Sequence, residues 1–352
     1  MKNFLEINNR RIGKESKVYI IAEISANHNK NFEKAKTIIK AVKESGADAV
    51  KLQTYTPNTL TIDCNNDFFR IKGTSWNDKT LYNLYQEAYT PWEWQPDLQQ
   101  FAKKIGLNFF STPFDSSSVD FLERMDVPAY KVASFEIVDI SLLRRIARTG
   151  KPIILSTGMA TLSEIDEAVQ TIKENGCTQF ALLKCTSAYP SSPEEANLNS
   201  IPHLSQAFGA PVGISDHTLG IAVPIAAVAL GACIVEKHFT LSRSETGPDS
   251  AFSLEPHEFK TMVEAVRLTE KALGQVTYGV TESEVASRVF RRSLFVVDEI
   301  REGERFTEEN VRSIRPGYGL HPRYYEVVLG RIASCDIPRG TPLKWEYVGT
   351  NK

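Results

Sequence analysis

The chain alternates short, strongly apolar segments with longer segments whose apolar residues recur every three or four positions. Short apolar segments rich in β-branched residues are typical of strands buried on both faces, and the longer segments are typical of amphipathic helices. Helices are predicted, for example, over 31–46 and 161–176. The predicted strands are 18–24, 49–54, 108–113, 129–134, 152–158, 180–186, 211–216 and 233–239. This alternation predicts a parallel sheet.

The two example helices carry start and stop signals. Thr161 and Glu164 fit a capping box that opens the second helix. The two segments end in Ser45-Gly46 and Asn175-Gly176, where the apolar period ends. Glycine at such a position is typical of a helix C-terminus.

Eight strand–helix units within about 270 residues match the usual size of a (β/α)8 TIM barrel. A doubly wound open sheet is the main alternative. No GxGxxG follows the first strand, which disfavours the dinucleotide-binding version of that sheet. Residues 4–13 alternate in polarity and turn at Asn8-Asn9, so they predict a hairpin that caps the barrel floor.

The pattern changes near residue 293, where short strands and glycine-rich turns replace the long helices. We therefore predict a barrel domain with its N-terminal hairpin over 1–280 and a linker over 281–292. A small β-rich domain is predicted over 293–352.

Composition excludes several classes of protein. The net charge of −2 is spread along 352 residues, which argues against a nucleic-acid partner or an acidic membrane surface. The five cysteines are odd in number and have no CxxC spacing, so neither a disulfide framework nor a structural zinc module is expected. The N-terminus lacks the apolar core of a signal peptide, and the longest apolar run, 221–235, is too short to span a bilayer comfortably. We expect a soluble cytoplasmic protein.

The predicted strands end on polar residues, and active sites of such barrels lie at the C-terminal ends of the strands. Three of these residues are lysines among apolar neighbours, a costly placement unless they face a bound anion. The repetition around one rim therefore predicts an anion site. The strand-end residues are Glu23, Lys51, Gln53, Ser111, Thr112, Lys131, Ser134, Ser156, Thr157, Lys184, Thr186, Ser215, His217, Glu236 and His238.

Two histidines, His217 and His238, follow the last two predicted strands. If those strands are neighbours, the two imidazoles can share a divalent ion such as Mn²⁺, Co²⁺, Fe²⁺ or Zn²⁺. We expect Asp216 and Glu236 to fix the tautomers of the two rings. A hydrogen-bonded structural role is the alternative for either histidine alone. Together with the lysines, the pair predicts a metal-assisted reaction of a phosphorylated acid with a carbonyl compound.

Seven motifs, in order along nearly the whole chain, resemble those of the sialic acid synthase family. The resemblance implies a TIM barrel joined to a C-terminal antifreeze-like (SAF) domain. It also implies condensation of phosphoenolpyruvate with an N-acetylated amino sugar to a nine-carbon acid and phosphate. The motifs are AEISANHN, GADAVKLQTY, YKVASFEI, LSTGMA, LLKCTSAYP, GISDHTLG and EKHFTL followed by GPDSAFSLEP.

Site residues are implied by the same resemblance, position by position. His217 and His238 correspond to the metal ligands, with Mn²⁺ expected and Mg²⁺ or Co²⁺ as alternatives. Glu23 corresponds to a carboxylate that assists water addition or stabilises an oxocarbenium-like centre, and it joins Lys51, Lys131 and Glu136 as catalytic candidates. Phosphoenolpyruvate contacts map onto Lys51, Thr112, Lys131, Ser134, Ser156, Thr186 and Ser215.

The sugar side is implied in the same way. Glu136, Tyr189 and Asp249 are expected to face the amino sugar. Family members form domain-swapped homodimers, so Arg315 of the small domain is expected to contact the sugar's acyl group in trans. Within the family, 73–94 and 315–325 resemble the branch that makes pseudaminic acid from 2,4-diacetamido-2,4,6-trideoxy-β-L-altrose.

Three other interpretations remain at this stage. One is synthesis of N-acetylneuraminate from N-acetylmannosamine, and another is a metal-dependent aldolase that uses pyruvate. The third is a carbohydrate-binding protein with a degenerate barrel. The aromatic residues that follow the second strand are interpreted as core rather than as a ligand wall. They are Tyr55, Phe68, Trp76, Tyr82, Tyr85, Trp92 and Trp94.

Overall fold

The structure, a computed structural model, describes residues 4–73, 76–77 and 79–350. The contacts within the chain divide it into two compact units, Met1–Gly274 and Gln275–Lys352. Residues 74, 75 and 78 of the 73–94 segment lie outside the described residues. Within the described part, no helix is both long enough and apolar enough to cross a membrane.

The first unit opens with an antiparallel hairpin of β1 (Phe4–Ile7) and β2 (Arg10–Gly13). Asn8 and Asn9 have φ angles of 49° and 62°, the left-handed pair that a two-residue hairpin turn requires. The fully buried side chains of this hairpin pack against inward-facing residues of the barrel. The predicted cap on the barrel floor is therefore confirmed.

Eight parallel strands close into the predicted barrel, with β10 paired to both β9 and β3. This closure excludes the open doubly wound sheet. The strands are β3 (Tyr19–Glu23), β4 (Ala49–Thr54), β5 (Asn108–Pro113), β6 (Tyr130–Val132), β7 (Ile153–Ser156), β8 (Phe180–Cys185), β9 (Val212–Asp216) and β10 (Ile234–His238).

Helices connect the strands and cover the outside of the barrel. Three of them, α2 to α4, lie between β4 and β5, and one helix lies in each of the other connections. The helices of this unit are α1 (Phe32–Glu44), α2 (Pro57–Leu60), α3 (Leu81–Ala88), α4 (Gln95–Lys104), α5 (Ser116–Arg124), α6 (Ile140–Ala147), α7 (Leu162–Glu174), α8 (Ser200–Phe208), α9 (Ala222–Ala229) and α10 (Pro256–Leu273).

The predicted helix ends agree with local geometry. Thr161 caps α7 and forms the predicted capping box with Glu164. Gly46 and Gly176 follow α1 and α7 with φ angles of 87° and 100°, which glycine adopts without steric cost.

Alternate residues of each strand belong to two different apolar clusters. The outward-facing residues pack under the helices, and the inward-facing ones fill the barrel floor together with the hairpin. On β4, for example, Val50 and Leu52 face the helices, whereas Ala49 faces the interior. Because side chains alternate with a period of two, Lys51 and Gln53 also point inward, one layer and two layers above Ala49.

The second unit contains a small β-rich fold. It has an antiparallel pair of β11 (Ser293–Val296) and β12 (Val311–Ile314), and one short helix, α11 (Tyr325–Val328), among its described residues. Isolated bridges join further segments, such as that between Ile300 and Ile337. Its buried core is Leu294, Val296, Ile300, Phe306, Val311, Val328, Ala333, Ile337 and Leu343.

Candidate active site

Two lysines and two glutamates meet inside the barrel, at the carboxyl ends of the strands. The strand register places Glu23 beside Lys51 and beside His238. Lys51 forms an ion pair with Glu23, and its Nζ lies 3.3 Å from Oε1 of Glu236. Nζ of Lys131 lies 3.7 Å from the same oxygen. Glu236 therefore lies between the two ammonium groups.

Burial and pairing act against each other in this cluster. Burial by itself lowers the pKa of Lys51, but Glu23 and Glu236 outweigh it, so the pKa is raised. Burial by itself raises the pKa of Glu236, but Lys131 and Lys51 lower it. For Lys131 burial prevails over the attraction of Glu236, so its pKa is lowered. For Glu23 burial prevails over the attraction of Lys51, so its pKa is raised. Both lysines depend on anionic neighbours to keep their charge.

Four predicted hydroxyl residues surround these lysines. Thr112 accepts a hydrogen bond from Nζ of Lys51 at 3.3 Å, and Ser156 accepts one from Nζ of Lys131 at 2.6 Å. Ser215 donates to Glu236 Oε1 at 3.2 Å. Ser134 accepts from the backbone N–H of Gly158 at 3.0 Å. A Cβ at Gly158 would lie 2.3 Å from the Ser187 hydroxyl and 2.7 Å from that of Ser134, so only glycine fits between them.

The two histidines lie side by side at the ends of neighbouring strands. Their ring centroids are 5.3 Å apart. Nδ1 of His217 bonds the carbonyl oxygen of Thr186 at 2.9 Å, which leaves Nε2 available. Burial lowers the pKa of His238 well below its ordinary value, so the ring is neutral, and its buried Nδ1 has no hydrogen-bond partner among the described residues. Burial by itself lowers the pKa of His217, but Cys185 and the carbonyl of Thr186 outweigh it, so this pKa is raised. A divalent ion binds the neutral imidazole and displaces that proton, so the two rings with their available nitrogens fit such an ion.

The protein supplies two side chains to such a metal rather than three. Across residues 4–73, 76–77 and 79–350, no group of three or more His, Cys, Asp or Glu side chains is arranged to hold an ion. A metal bound by two histidines keeps open positions for water and substrate, as catalytic sites do.

The predicted role of Asp216 and Glu236 in fixing the histidine tautomers is wrong. Asp216 points out of the barrel, where it pairs with the buried Lys237 and accepts hydrogen bonds from Thr218. Glu236 pairs with the lysines instead. For Asp216 the physical reason is the strand period of two, because adjacent residues such as Asp216 and His217 face opposite sides of the sheet. Glu236 faces the same side as His238, but the ammonium groups of Lys51 and Lys131 pair with its carboxylate.

Thr186 lies at the same rim, but its hydroxyl serves the backbone. The hydroxyl donates to the carbonyl oxygen of Glu195 at 3.1 Å and accepts from Nζ of Lys184 at 3.5 Å. Its carbonyl oxygen is the one that holds His217. Thr186 therefore orients His217 in this structure and does not aim its hydroxyl at the lysine cluster.

A cavity of about 410 Å³ adjoins His238. Glu136, Tyr189 and Asp249, the three residues expected to face the sugar, all line it together with His238. Burial raises the pKa of Glu136 to about 7, and Oε2 of this carboxyl has no hydrogen-bond partner among the described residues. The cavity therefore brings together a neutral imidazole and a carboxyl group that is protonated in about half of the molecules at pH 7.

The rest of the cavity lining is largely apolar and aromatic. It contains Tyr55, Trp76 and Tyr85. Tyr55 is buried, as a core residue is, but Trp76 and Tyr85 are half-buried and line the cavity, so their interpretation as core is wrong. The interpretation is also wrong for Phe68, which is 92% exposed. Nε1 of Trp76 donates to the carbonyl oxygen of Pro248 at 2.8 Å, and the Trp76 ring lies 5.7 Å from that of Tyr189. The complete lining is Gln53, Tyr55, Leu60, Ile71, Trp76, Leu81, Leu84, Tyr85, Ala88, Phe114, Ala133, Phe135, Glu136, Tyr189, His238, Pro248 and Asp249.

Arg315 belongs to the second unit and directly follows β12. Its side chain is exposed within this single chain. The structure thus brings together most of the predicted residues of the barrel and describes Arg315 within its own unit. Lys184 is an exception, because its Nζ donates to the carbonyl oxygen of Cys185 and to the hydroxyl of Thr186 and not to the lysine cluster.

Comparison with known proteins matches both units. The model of the NeuB family matches residues 38–278, and that of the SAF domain matches residues 291–348. A pseudaminic acid synthase of Helicobacter pylori is 48% identical over 325 residues, which are 92% of this chain and 96% of that protein. A pseudaminic acid synthase of Campylobacter jejuni is 47% identical over 330 residues, which are 94% of this chain and 96% of that protein.

A solved structure shows the same architecture. The crystal structure of the spore coat polysaccharide biosynthesis protein SpsE of Bacillus subtilis matches with a TM-score of 0.66 and 36% identity. The match covers 99% of this chain and 100% of the other. The chain therefore belongs to the NeuB family, the sialic acid synthase family that its motifs predicted, and carries a C-terminal SAF domain.

Proposed function

We propose that the chain condenses phosphoenolpyruvate with 2,4-diacetamido-2,4,6-trideoxy-β-L-altrose and water to form pseudaminic acid and phosphate. It is then a carbon–carbon bond-forming transferase. The proposal rests on the cavity beside the buried lysine cluster, which is lined by aromatic and by polar residues. The chain that contains this site is 47–48% identical to pseudaminic acid synthases over more than nine-tenths of its length.

The lysine cluster suits phosphoenolpyruvate, which carries a carboxylate and a phosphate. Lys51 and Lys131 lie among hydroxyl groups that can donate to anionic oxygens, namely those of Thr112, Ser134 and Ser156. Hydrogen bonds to charged groups contribute about 1.5–3 kcal/mol each, so a few of them hold a small anion firmly. A bound anion also stabilises the charged form of Lys131, whose pKa burial lowers.

The cavity suits a sugar with both polar and apolar groups. Glu136, Tyr189 and Asp249 line the cavity and can bond hydroxyl and amide groups. The aromatic part of the lining, with Tyr55, Trp76 and Tyr85, suits the methyl group at carbon 6 and an acetamido methyl group. A sugar with a hydroxyl at carbon 6 would lose a hydrogen bond to water on such a wall.

The reaction forms one carbon–carbon bond and breaks one carbon–oxygen bond. The enol π electrons of phosphoenolpyruvate form the bond from its carbon 3 to the aldehyde carbon of the open-chain sugar, and the aldehyde oxygen takes up a proton. Water adds to carbon 2 with loss of a proton, which forms a second carbon–oxygen bond there. The new hydroxyl then loses its proton and becomes the carbonyl of carbon 2, while the bond from carbon 2 to the phosphate oxygen breaks and phosphate leaves with the electron pair. Lys51 and Lys131 neutralise the carboxylate and phosphate throughout.

Two carboxyl groups can handle the protons. Glu23 pairs with Lys51 at the deep end of the site, where it assists water addition at carbon 2 or stabilises positive charge there. Glu136, with a pKa of about 7, is protonated in enough molecules near neutral pH to donate to the oxygen of the sugar aldehyde.

His217 and His238 would hold a divalent ion, Mn²⁺ in the first place, with Mg²⁺ and Co²⁺ as alternatives. Such an ion supplies Lewis-acid polarisation of the aldehyde carbonyl. The neutral state of His238 and the carbonyl that fixes the ring of His217 support this assignment.

The first experiment measures phosphate release from phosphoenolpyruvate with Mn²⁺, with the diacetamido-trideoxy-altrose and N-acetylmannosamine in separate reactions. Release with the first sugar alone, and a product that co-elutes with authentic pseudaminic acid, is the expected result. Release with N-acetylmannosamine alone would keep the chemistry and overturn the substrate. A chelator control tests the metal, because phosphate release is expected to stop on chelation and return with added Mn²⁺.

We further propose a cytoplasmic, domain-swapped homodimer in which Arg315 contacts the sugar's acyl group in trans. Its support is the family resemblance and the exposure of Arg315 in the single chain. Light scattering is expected to give twice the chain mass of 39.4 kDa. A monomeric mass, or an unchanged sugar KM in Arg315→Ala, would contradict this arrangement.

A further inference from the structure

The turn that follows β3 contains a strained serine. Ser25 has a φ angle of 42° and is 2% exposed. A non-glycine residue in this left-handed region costs about 1–2 kcal/mol, whereas glycine adopts it freely. Glycine would adopt this φ angle without strain, so what serine contributes at this position is its hydroxyl group.

Both polar groups of Ser25 have partners in the candidate site. Its backbone N–H donates to Oε1 of Glu23 at 2.7 Å. Its hydroxyl donates to Oδ2 of Asp249 and accepts from Nε2 of Gln53 at 3.1 Å. A carboxylate only accepts hydrogen bonds and an amide nitrogen only donates them. The hydroxyl must therefore donate its one hydrogen to Asp249 and accept from Gln53.

The partners of Ser25 belong to two different parts of the site. Gln53 and Asp249 line the cavity, which Ser25 itself does not reach. Glu23 lies deeper, paired with Lys51. Ser25 therefore connects the cavity to the lysine cluster through three hydrogen bonds.

The turn is held rigidly in this position. Nδ2 of the buried Asn27 donates to the carbonyl oxygen of Phe239 and to the hydroxyl of Ser253, both at 2.9 Å. These contacts anchor residues 25–28 to the loop after β10, which also carries Asp249. The contacts of Ser25 and of Asn27 thus hold the strained turn in place. Backbone strain persists at functional sites only where the surrounding structure holds it in this way.

We propose that Ser25 is a positioning residue for the sugar, acting through the carboxylate of Asp249 and the amide of Gln53. The inference rests on the proposed function, because it assigns the cavity to the sugar. Loss of the hydroxyl removes one of the two donors to Asp249, which keeps its hydrogen bond from the backbone of Ala26, and it frees the amide of Gln53 to turn. The N–H bond to Glu23 remains, so the phosphoenolpyruvate side is unaffected.

A matched pair of variants separates the hydroxyl from the backbone. Ser25→Gly removes the hydroxyl and relieves the strain, and Ser25→Ala removes the hydroxyl and keeps the strain. Both are expected to raise the KM for the sugar about tenfold or more, the loss of one hydrogen bond to a charged group, with the KM for phosphoenolpyruvate within about twofold of wild type. Ser25→Gly is expected to unfold at the wild-type temperature or above it.

Two kinetic results would overturn the inference: an unchanged sugar KM in Ser25→Gly, or equal increases in both KM values. The wild-type enzyme, assayed first, separates these results from failure of the proposed function, which is absence of phosphate release with the diacetamido sugar. A crystal structure of Ser25→Gly gives a readout without any substrate. If the side chains of Asp249 and Gln53 have the same positions in that structure as in the wild type, the inference is overturned.

Discussion

Replacing Glu136 by glutamine is expected to make the protein more stable at alkaline pH and to change little at acidic pH. Burial raises the pKa of this carboxyl from 4.5 to about 7, with Lys131 and Lys51 opposing the rise and Asp139 adding to it. The folded chain therefore holds the proton more tightly than the unfolded chain. Stability from this group is fully present below pH 4.5 and is lost as the pH rises through 7.

The size of the effect follows from the shift. A difference of about 2.5 pKa units corresponds to about 3.4 kcal/mol between the fully protonated and fully ionised limits. Between pH 5 and pH 8.5 the same two pKa values give a loss of about 2.5 kcal/mol. Glu136 lines the cavity and water screens part of its charge, so this figure is an upper bound.

The assay is urea unfolding of the wild type and Glu136→Gln at both pH values, without metal or substrate. Subtracting the two proteins at each pH removes the contribution of the other titrating groups. Glutamine has the shape of the protonated acid, so the gain in unfolding free energy at pH 8.5 should exceed that at pH 5 by about 1–2.5 kcal/mol. Equal differences at the two pH values would refute the reasoning, because Glu136 would then titrate normally.

Four further predictions concern the rest of the site. His217→Ala should reduce Mn²⁺-dependent phosphate release to that of chelated wild type with unchanged circular dichroism, and full activity after chelation would exclude the metal role. Lys131→Met should raise the KM for phosphoenolpyruvate about 10- to 100-fold in steady-state assays, since it removes charge-assisted hydrogen bonds; an unchanged value would remove the lysine from the anion site. Lys237→Met should lower the unfolding free energy by about 3–5 kcal/mol because Asp216 is left buried and unpaired, and Asp216→Asn in the same chain should recover part of that loss. Trp76→Ala should reduce the preference for the diacetamido sugar over N-acetylmannosamine in competition assays, and an unchanged ratio would contradict a selective aromatic wall.

The sequence predicted the barrel well because the composition of each strand differs clearly from that of the segments around it. β4 and β5 begin and end at the predicted residues 49–54 and 108–113, since each is an apolar run closed by polar residues. The lysines and histidines were found for the same reason, because they interrupt apolar runs at the end where barrel sites lie.

Other features depend on contacts that a linear pattern does not contain. Tyr55, Trp76 and Tyr85 lie between β4 and β5, where the chain makes three helices instead of one, and no strand period fixes which way they face. Ser25 looks like an ordinary turn residue until its φ angle is known. The outward orientation of Asp216 was within reach of the sequence, because it follows from counting alternate residues along β9.

The hairpin beneath the barrel determines how the site is reached. Leu5, Ile7 and Ile12 seal the lower end of the strands, so the carboxyl end is the open end of the barrel interior. The buried lysine cluster lies deeper in the barrel interior, which is closed below, and the cavity lies nearer the open end. If phosphoenolpyruvate binds at the lysines and the sugar binds in the cavity, as proposed, the small anion must arrive before the sugar that covers it. The closed floor then imposes an order of binding, and steady-state kinetics should be ordered, with phosphoenolpyruvate first.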